Sequence, residues 1–149
     1  MPKKEKTRAS KEHAGRQFAA LPLAVQEGET KVMLVTSRET RRWVLPKGWA
    51  EPGLAPYELA AKEAFEEAGL VGEVDPEPVG FYSYDKRLRG GRSVPCEVGV
   101  FPLWVAQQLE DWPERKQRET RWFTPAQAAM EVEEGGLVTL LLRLAILEG

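Results

Sequence analysis

The chain has 149 residues, with 21 Lys and Arg against 23 Asp and Glu, and a net charge of -2 at pH 7. That length fits one domain with a real core, and the charge argues against a general nucleic-acid coat or a basic membrane-surface protein. The lone cysteine, Cys96, excludes an intrachain disulfide and a cysteine cage, and the lone histidine, His13, argues against a His-based metal site or a Ser-His-Asp triad.

Lys3, Lys4, Lys6, Arg8, Lys11 and Arg16 open the chain among polar neighbours without periodicity. A flexible basic tail is expected over 1–15 and a single domain over 16–149. No apolar secretory stretch follows Met1, and no run approaches the roughly 18 apolar residues of a membrane span, so the expected location is cytoplasmic. Phe18 to Val25 reads as a strand, with Pro22 suggesting an edge or a bulge. Residues 27–30 form a turn, and Lys31 to Thr36 is the second strand of a hairpin. Trp43 to Leu45 is a short strand that stops at Pro46.

A helix follows, with Pro56 in its first turn and Gly69 just past its end. Tyr57, Ala61, Ala64, Phe65 and Ala68 form the expected core-facing stripe. Val71 to Val74 and Val79 to Tyr84 look extended. Asp85 to Arg92 is a basic turn around Gly90-Gly91, and Glu97 to Val105 is the returning strand. Residues 109–118 read as a loop, and Thr120 to Phe123 as a short strand. Thr124 caps a helix that has Pro125 at its first position. Gly135-Gly136 breaks it, and Leu137 to Leu147 forms a last apolar helix. Strands mixed with few helices indicate an α/β or α+β sandwich with a mixed sheet. Trp43, Trp104 and Trp122 are expected in the core, as is Cys96.

Glu63, Glu66 and Glu67 stand at i, i+3 and i+4 and project from one helix face. Like charges at that spacing cost about 0.2–0.5 kcal/mol per pair. Taken alone, such a stripe is ordinarily a solvated face. A cation would neutralise it, and carboxylate oxygens suit hard ions such as Mg²⁺ or Mn²⁺.

The segment Gly48 to Leu70, ending Lys62-Glu63-Ala64-Phe65-Glu66-Glu67-Ala68-Gly69-Leu70, resembles the Nudix box, Gly-x5-Glu-x7-Arg-Glu-U-x-Glu-Glu-x-Gly-U, where U is a bulky aliphatic residue. The spacing matches throughout. Leu34 to Lys47, Leu109 to Pro113 and Arg121 to Phe123 are similar to the diphosphoinositol polyphosphate phosphohydrolase branch, which extends the likeness over roughly residues 16–130. Three positions depart: Leu54 replaces the first box glutamate, Lys62 the arginine and Ala64 an aliphatic residue. Leu54 and Lys62 are expected to replace the usual charged pair jointly, by apolar packing with the lysine snorkelling to solvent.

The resemblance implies a Nudix-type α/β/α sandwich and metal-dependent hydrolysis of a diphosphate linked to another group. The subclass it suggests acts on diphosphoinositol or diadenosine polyphosphates. Nucleotide clean-up, RNA 5′ pyrophosphate hydrolysis and a non-catalytic nucleotide-binding module are the alternatives. By motif position, Glu63, Glu66 and Glu67 are carried over as Mg²⁺ or Mn²⁺ ligands, with the backbone carbonyl of Lys47 as a further one. One of these carboxylates, or Glu119 from a later loop, would take the proton of water.

Lys47 reads either as a phosphate contact or as a surface lysine. Trp49 either stacks on a base or is a half-packed loop residue. Lys86 and Arg87 belong either to a polyphosphate clamp or to a soluble hairpin tip. Arg16 and Arg42 are further candidates for the substrate, with Arg16 preferred because it opens the first strand. Glu51 and Glu58 are expected to be solvated. The partner is a small-molecule polyphosphate, with no membrane, nucleic acid disfavoured by the charge, and the oligomeric state open.

Overall fold

The computed structural model describes residues 15–148, so the expected tail falls almost wholly outside the described residues. Eight strands run in chain order: β1 (Arg16–Gln26), β2 (Glu29–Thr36), β3 (Trp43–Val44), β4 (Lys47–Trp49), β5 (Leu70–Val74), β6 (Gly80–Arg87), β7 (Ser93–Gln108) and β8 (Thr120–Phe123). Among the described residues, three α-helices join them: α1 (Pro56–Ala68) between β4 and β5, then α2 (Pro125–Glu131) and α3 (Gly135–Glu148) after β8. The main sheet order is β3-β2-β1-β7-β5, with β4 on β1, β6 on β7 and β8 on β2. The β1–β7 pair is parallel and the other pairs are antiparallel.

The sheet separates two apolar layers. Ala60, Ala64 and Ala68 of α1 pack on Ala20, Met33, Val35, Phe101 and Leu103. On the other face Leu137 and Leu141 of α3, with Ala128 and Ala129 of α2, cover Leu21, Tyr82, Val98 and Val100. This is the expected α/β/α sandwich with a mixed sheet. Among the described residues, no helix is long and apolar enough to cross a membrane.

The β1–β2 hairpin closes through Glu27 (φ 54°) and Gly28 (φ 80°), with Gln26 opposite Glu29. Positive φ at both central residues is the turn geometry that matches strand twist. Pro22 marks neither an edge nor a bulge: it lies in a central strand, in unbroken register opposite Leu103. The Ala20 N–H bonds the Pro46 carbonyl on the β4 side. Pro22 has the same parity, so its missing N–H falls where β1 passes from its β4 ladder, ending at Ala19, to its β2 ladder, beginning at Leu23. The chain beyond Pro46 also pairs, as β4.

Helix α1 begins at Pro56 and ends before Gly69, which is left-handed at φ 69°. Glu58 is not merely solvated, since its carboxylate accepts the Ala55 N–H at 2.8 Å. The buried stripe is Leu59, Ala60, Ala64, Glu67 and Ala68, which keeps only Ala64 and Ala68 of the expected one. Phe65 is exposed, while Tyr57 and Ala61 are half-buried. Small alanines at 60, 64 and 68 let the helix lie close to the sheet, and this rotation carries Glu67 inward. Of the tryptophans expected in the core, Trp104 is exposed and Trp43 and Trp122 are half-buried. Cys96 is buried.

Candidate active site

Glycine at position 48 lets β4 and α1 touch. A Cβ there would stand 2.5 Å from the Glu63 carboxyl carbon, so glycine lets this carboxylate lie against the strand, and a larger residue would displace it. Glu63 interacts through a hydrogen bond with Glu67, one helical turn on. Glu66 flanks them and is half-buried. Glu67 is 4% exposed. Burial, opposed by Arg118 and reinforced by Glu63, pushes its carboxyl up to about 9. Burial likewise raises Glu63.

The loop after β7 is strapped to the end of α1. The last four carbonyls of a helix lack intrahelical partners unless capped, and here the Gly69 N–H takes that of Phe65 at 2.9 Å. Here the Glu114 N–H bonds the Glu66 carbonyl at 2.9 Å, Trp112 Nε1 bonds that of Glu67 at 3.2 Å, and Gln108 Nε2 bonds that of Ala68 at 2.9 Å. The Trp112 ring fills the space beside Gly69, where a Cβ would collide with it. The strap delivers Arg118, which donates to Glu114 at 2.7 Å and to the Thr36 carbonyl at 3.1 Å. Its guanidinium also lies 3.7 Å from Glu67.

Glu119, expected as the later-loop carboxylate, does not join this cluster. Its neighbour Arg118 faces inward, so in extended chain Glu119 faces outward. It is exposed and pairs with Arg41 at 3.5 Å. Glu114 is the loop carboxylate whose charge acts on Glu63.

Lys47 lies on the sheet face opposite α1. Its ammonium stands 3.9 Å from Glu134, at the start of α3, and 5.1 Å from the Tyr84 ring centroid. Burial lowers its pKa, against the attraction of Glu134 and Glu67. The Lys47 side chain is therefore neither a simple surface lysine nor unpaired. Its backbone opposes Ala19, a register position between the hydrogen-bonded rungs at Ala20–Pro46 and Arg16–Ala50. Antiparallel alternation directs the Lys47 carbonyl away from β1.

Trp49, two residues on, shares the Lys47 face, and the Lys86 ammonium sits 5.8 Å from its ring centroid. Arg87 projects to the opposite face of β6 and is exposed. Arg42 is exposed and pairs with Glu133 at 3.5 Å. Arg16 is on the α1 side, where it lines a cavity of about 300 Å³ with Phe18, Pro56, Phe81 and Glu97, apart from Lys47.

Leu54 and Lys62 are not a purely apolar replacement. Lys62 bonds both Glu51 oxygens, at 2.9 and 3.2 Å, so the ion pair has moved three residues along the loop. Glu51 is correspondingly paired and not merely solvated. Glu114, Arg118, Glu134, Gln17 and Tyr84 were not among the expected site residues. They come from separate segments, and no local spacing joins them.

Among the described residues, no three Asp, Glu, His or Cys side chains form a ready-made metal cluster. The chemistry of the donors nevertheless suits a hard divalent cation: Glu63 and Glu67 in contact, Glu66 beside them and the Lys47 carbonyl turned from its ladder.

An acidic helix held against a glycine-bearing strand within an α/β/α sandwich defines the class of a Nudix fold. The NUDIX domain family model matches residues 15–141, and the chain belongs to that family. It is 37% identical over 105 residues to Nudix hydrolase 12, mitochondrial, of Arabidopsis thaliana, covering 66% of this chain and 50% of that protein. It is 32% identical over 124 residues to diphosphoinositol polyphosphate phosphohydrolase 2 of Rattus norvegicus, covering 81% of this chain and 65% of the rat protein. The chain thus spans about half the length of the first of these relatives. A Caenorhabditis elegans Ap4A hydrolase binary complex shares the fold with a TM-score of 0.66 at 15% identity, covering 89% of this chain and 96% of that one.

Proposed function

We propose that this protein is a pyrophosphohydrolase that uses Mg²⁺ or Mn²⁺ to cleave a phosphoanhydride in a small-molecule diphosphate linked to another group. Candidate substrates are diphosphoinositol and diadenosine polyphosphates. The observation that carries the reading is the Glu63–Glu67 carboxylate pair pressed against Gly48, with Glu66 beside it. Glu63, Glu66, Glu67 and the Lys47 carbonyl would hold the cation. When bound, a divalent ion supplies neutralisation of the phosphate oxygens and acidifies water.

The chain's own groups do the rest. Arg118 holds Glu67 in place and turns positive charge toward the phosphates. Glu66, which makes no ion pair among the described residues, would be the carboxylate that takes the proton of attacking water. Lys86 and Trp49 bind the group beyond the phosphates. The Glu51–Lys62 pair supports the loop–helix junction and weakens the case for a non-catalytic binding module. A cytoplasmic location remains part of the proposal.

Glu66→Gln and Glu67→Gln should each reduce metal-dependent phosphate release by about 10²-fold or more while leaving the circular dichroism spectrum unchanged. Near-normal turnover in both variants would refute the site.

A further inference from the structure

The polar cluster on the α3 side of the sheet is paired within itself. Tyr84 donates to Gln17 Oε1 at 2.6 Å, and Lys47 lies between Tyr84 and Glu134. The α1 side carries a cleft of a different kind. One rung crosses four strands there, from Gly48 of β4 to Phe18 of β1, Gly99 of β7 and Phe81 of β6. Phe101, two residues along β7, shares that face, and its ring meets Phe18 edge to face at 6.1 Å. A Cβ at Gly99 would stand 3.2 Å from the Phe81 ring, 3.3 Å from Phe18 and 3.5 Å from Phe101. Three rings thus surround the space above one glycine. With Pro56, Pro76 and Pro78 they wall the cavity of about 300 Å³.

The backbone does not call for a glycine at position 99. Its φ is not positive, and the register runs unbroken on both sides. A glycine inside a strand weakens it and marks a place where another group comes close. A single exposed apolar residue is ordinary, but Phe81, 60% exposed, forms one wall of this cleft. The three prolines present no N–H. The body of an occupant is therefore flat and apolar.

The rim carries opposite charges. Arg16 and Glu97 stand in register on neighbouring strands, about 4.8 Å apart in a sheet. Both are exposed, and neither makes an ion pair among the described residues. A polyphosphate would gain Arg16 but meet Glu97, and it would leave the rings bare. A lone amine has the reverse fault. A zwitterion bearing a phenyl ring meets all three features: its carboxylate at Arg16, its ammonium at Glu97 and its ring over Gly99. Below the rim no polar side chain lines the cavity, so a phenol or indole hydrogen would find no side-chain partner.

We propose that this cleft binds a free aromatic amino acid of the phenylalanine type. The site goes beyond the hydrolase reading and does not depend on it, since neither metal nor phosphate enters.

Calorimetry on the full chain without metal tests it. L-Phenylalanine should bind saturably, with a Kd of about 1 mM or tighter. Phenylpropionate lacks the ammonium and phenethylamine the carboxylate, and each should bind about threefold or more weakly. L-Alanine, without the ring, should not bind. Glu97→Gln should remove the preference for phenylalanine over phenylpropionate, and Arg16→Gln the preference over phenethylamine. Gly99→Ala raises the floor and should weaken phenylalanine about tenfold. If that variant fails to fold by circular dichroism, the two rim variants decide. No saturable binding of phenylalanine, equal binding of the three ring compounds, or binding of alanine as tight as that of phenylalanine overturns the proposal. So does a preference that survives in either rim variant, or unweakened binding by folded Gly99→Ala.

Discussion

A carboxyl group 4% exposed, beside a second carboxylate, keeps its proton far above the usual range, and Glu67 is held at about 9. The folded protein therefore binds a proton that the unfolded chain releases near the ordinary carboxylate value of 4.5. The stability this contributes is fully present below about 4.5 and is lost as pH rises toward about 9. Metal-free protein should show a melting temperature that falls between about pH 5 and pH 8, and Glu67→Gln should flatten that slope. An identical slope in the variant would remove Glu67 as its source. Lys47, with a lowered pKa, acts in the opposite sense toward alkaline pH, so the lower window is the diagnostic one. At this scale the glutamate stripe was legible because one helix carries all three residues. The partners of the stripe were not legible. Arg118 reaches Glu67 across a loop, and Glu119 next to it faces the other way only because the approach to β8 is extended.

Helix α1 was bounded correctly from Pro56 and Gly69, since both residues act through local backbone geometry. Its buried face was legible only at Ala64 and Ala68, because the alanine spacing fits two adjacent stripes and only the sheet decides between them. The position of Pro22 likewise depended on where one neighbouring strand gives way to another. The strap caps the end of this helix beside the glutamates. Gly69→Ala would place a methyl in the Trp112 ring and an L-residue at φ 69°, and should cost about 1–3 kcal/mol in urea denaturation. Trp112→Phe removes the indole N–H bond to the Glu67 carbonyl, at a cost of about 0.5–1.5 kcal/mol. If the strap positions the carboxylates, kcat falls in this variant more than KM rises. A change confined to stability would make Trp112 a packing residue only.

Of the two layers of the molecule, one carries the acidic helix and the other the Lys47–Glu134 cluster. Leu141→Ala, in the layer under α3, should destabilise by about 2–5 kcal/mol and leave turnover of the folded fraction close to normal. Ala64→Leu, under α1, should cost about 1–3 kcal/mol by overpacking and also impair turnover, because it lifts the carboxylates from β4. Urea midpoints read beside kcat would separate the two layers. The α/β/α order was legible from the motif, whereas the convergence of Gln17, Tyr84 and Glu134 was not, since tertiary packing alone joins residues so far apart in the chain. The most direct test of the metal-centred account is a titration of Mn²⁺ followed by electron paramagnetic resonance at constant pH. Saturable loss of the free-ion signal in wild type, weakened at least tenfold in Glu67→Gln, is the predicted result. Equal affinity in the two proteins, or no binding by wild type, would contradict it.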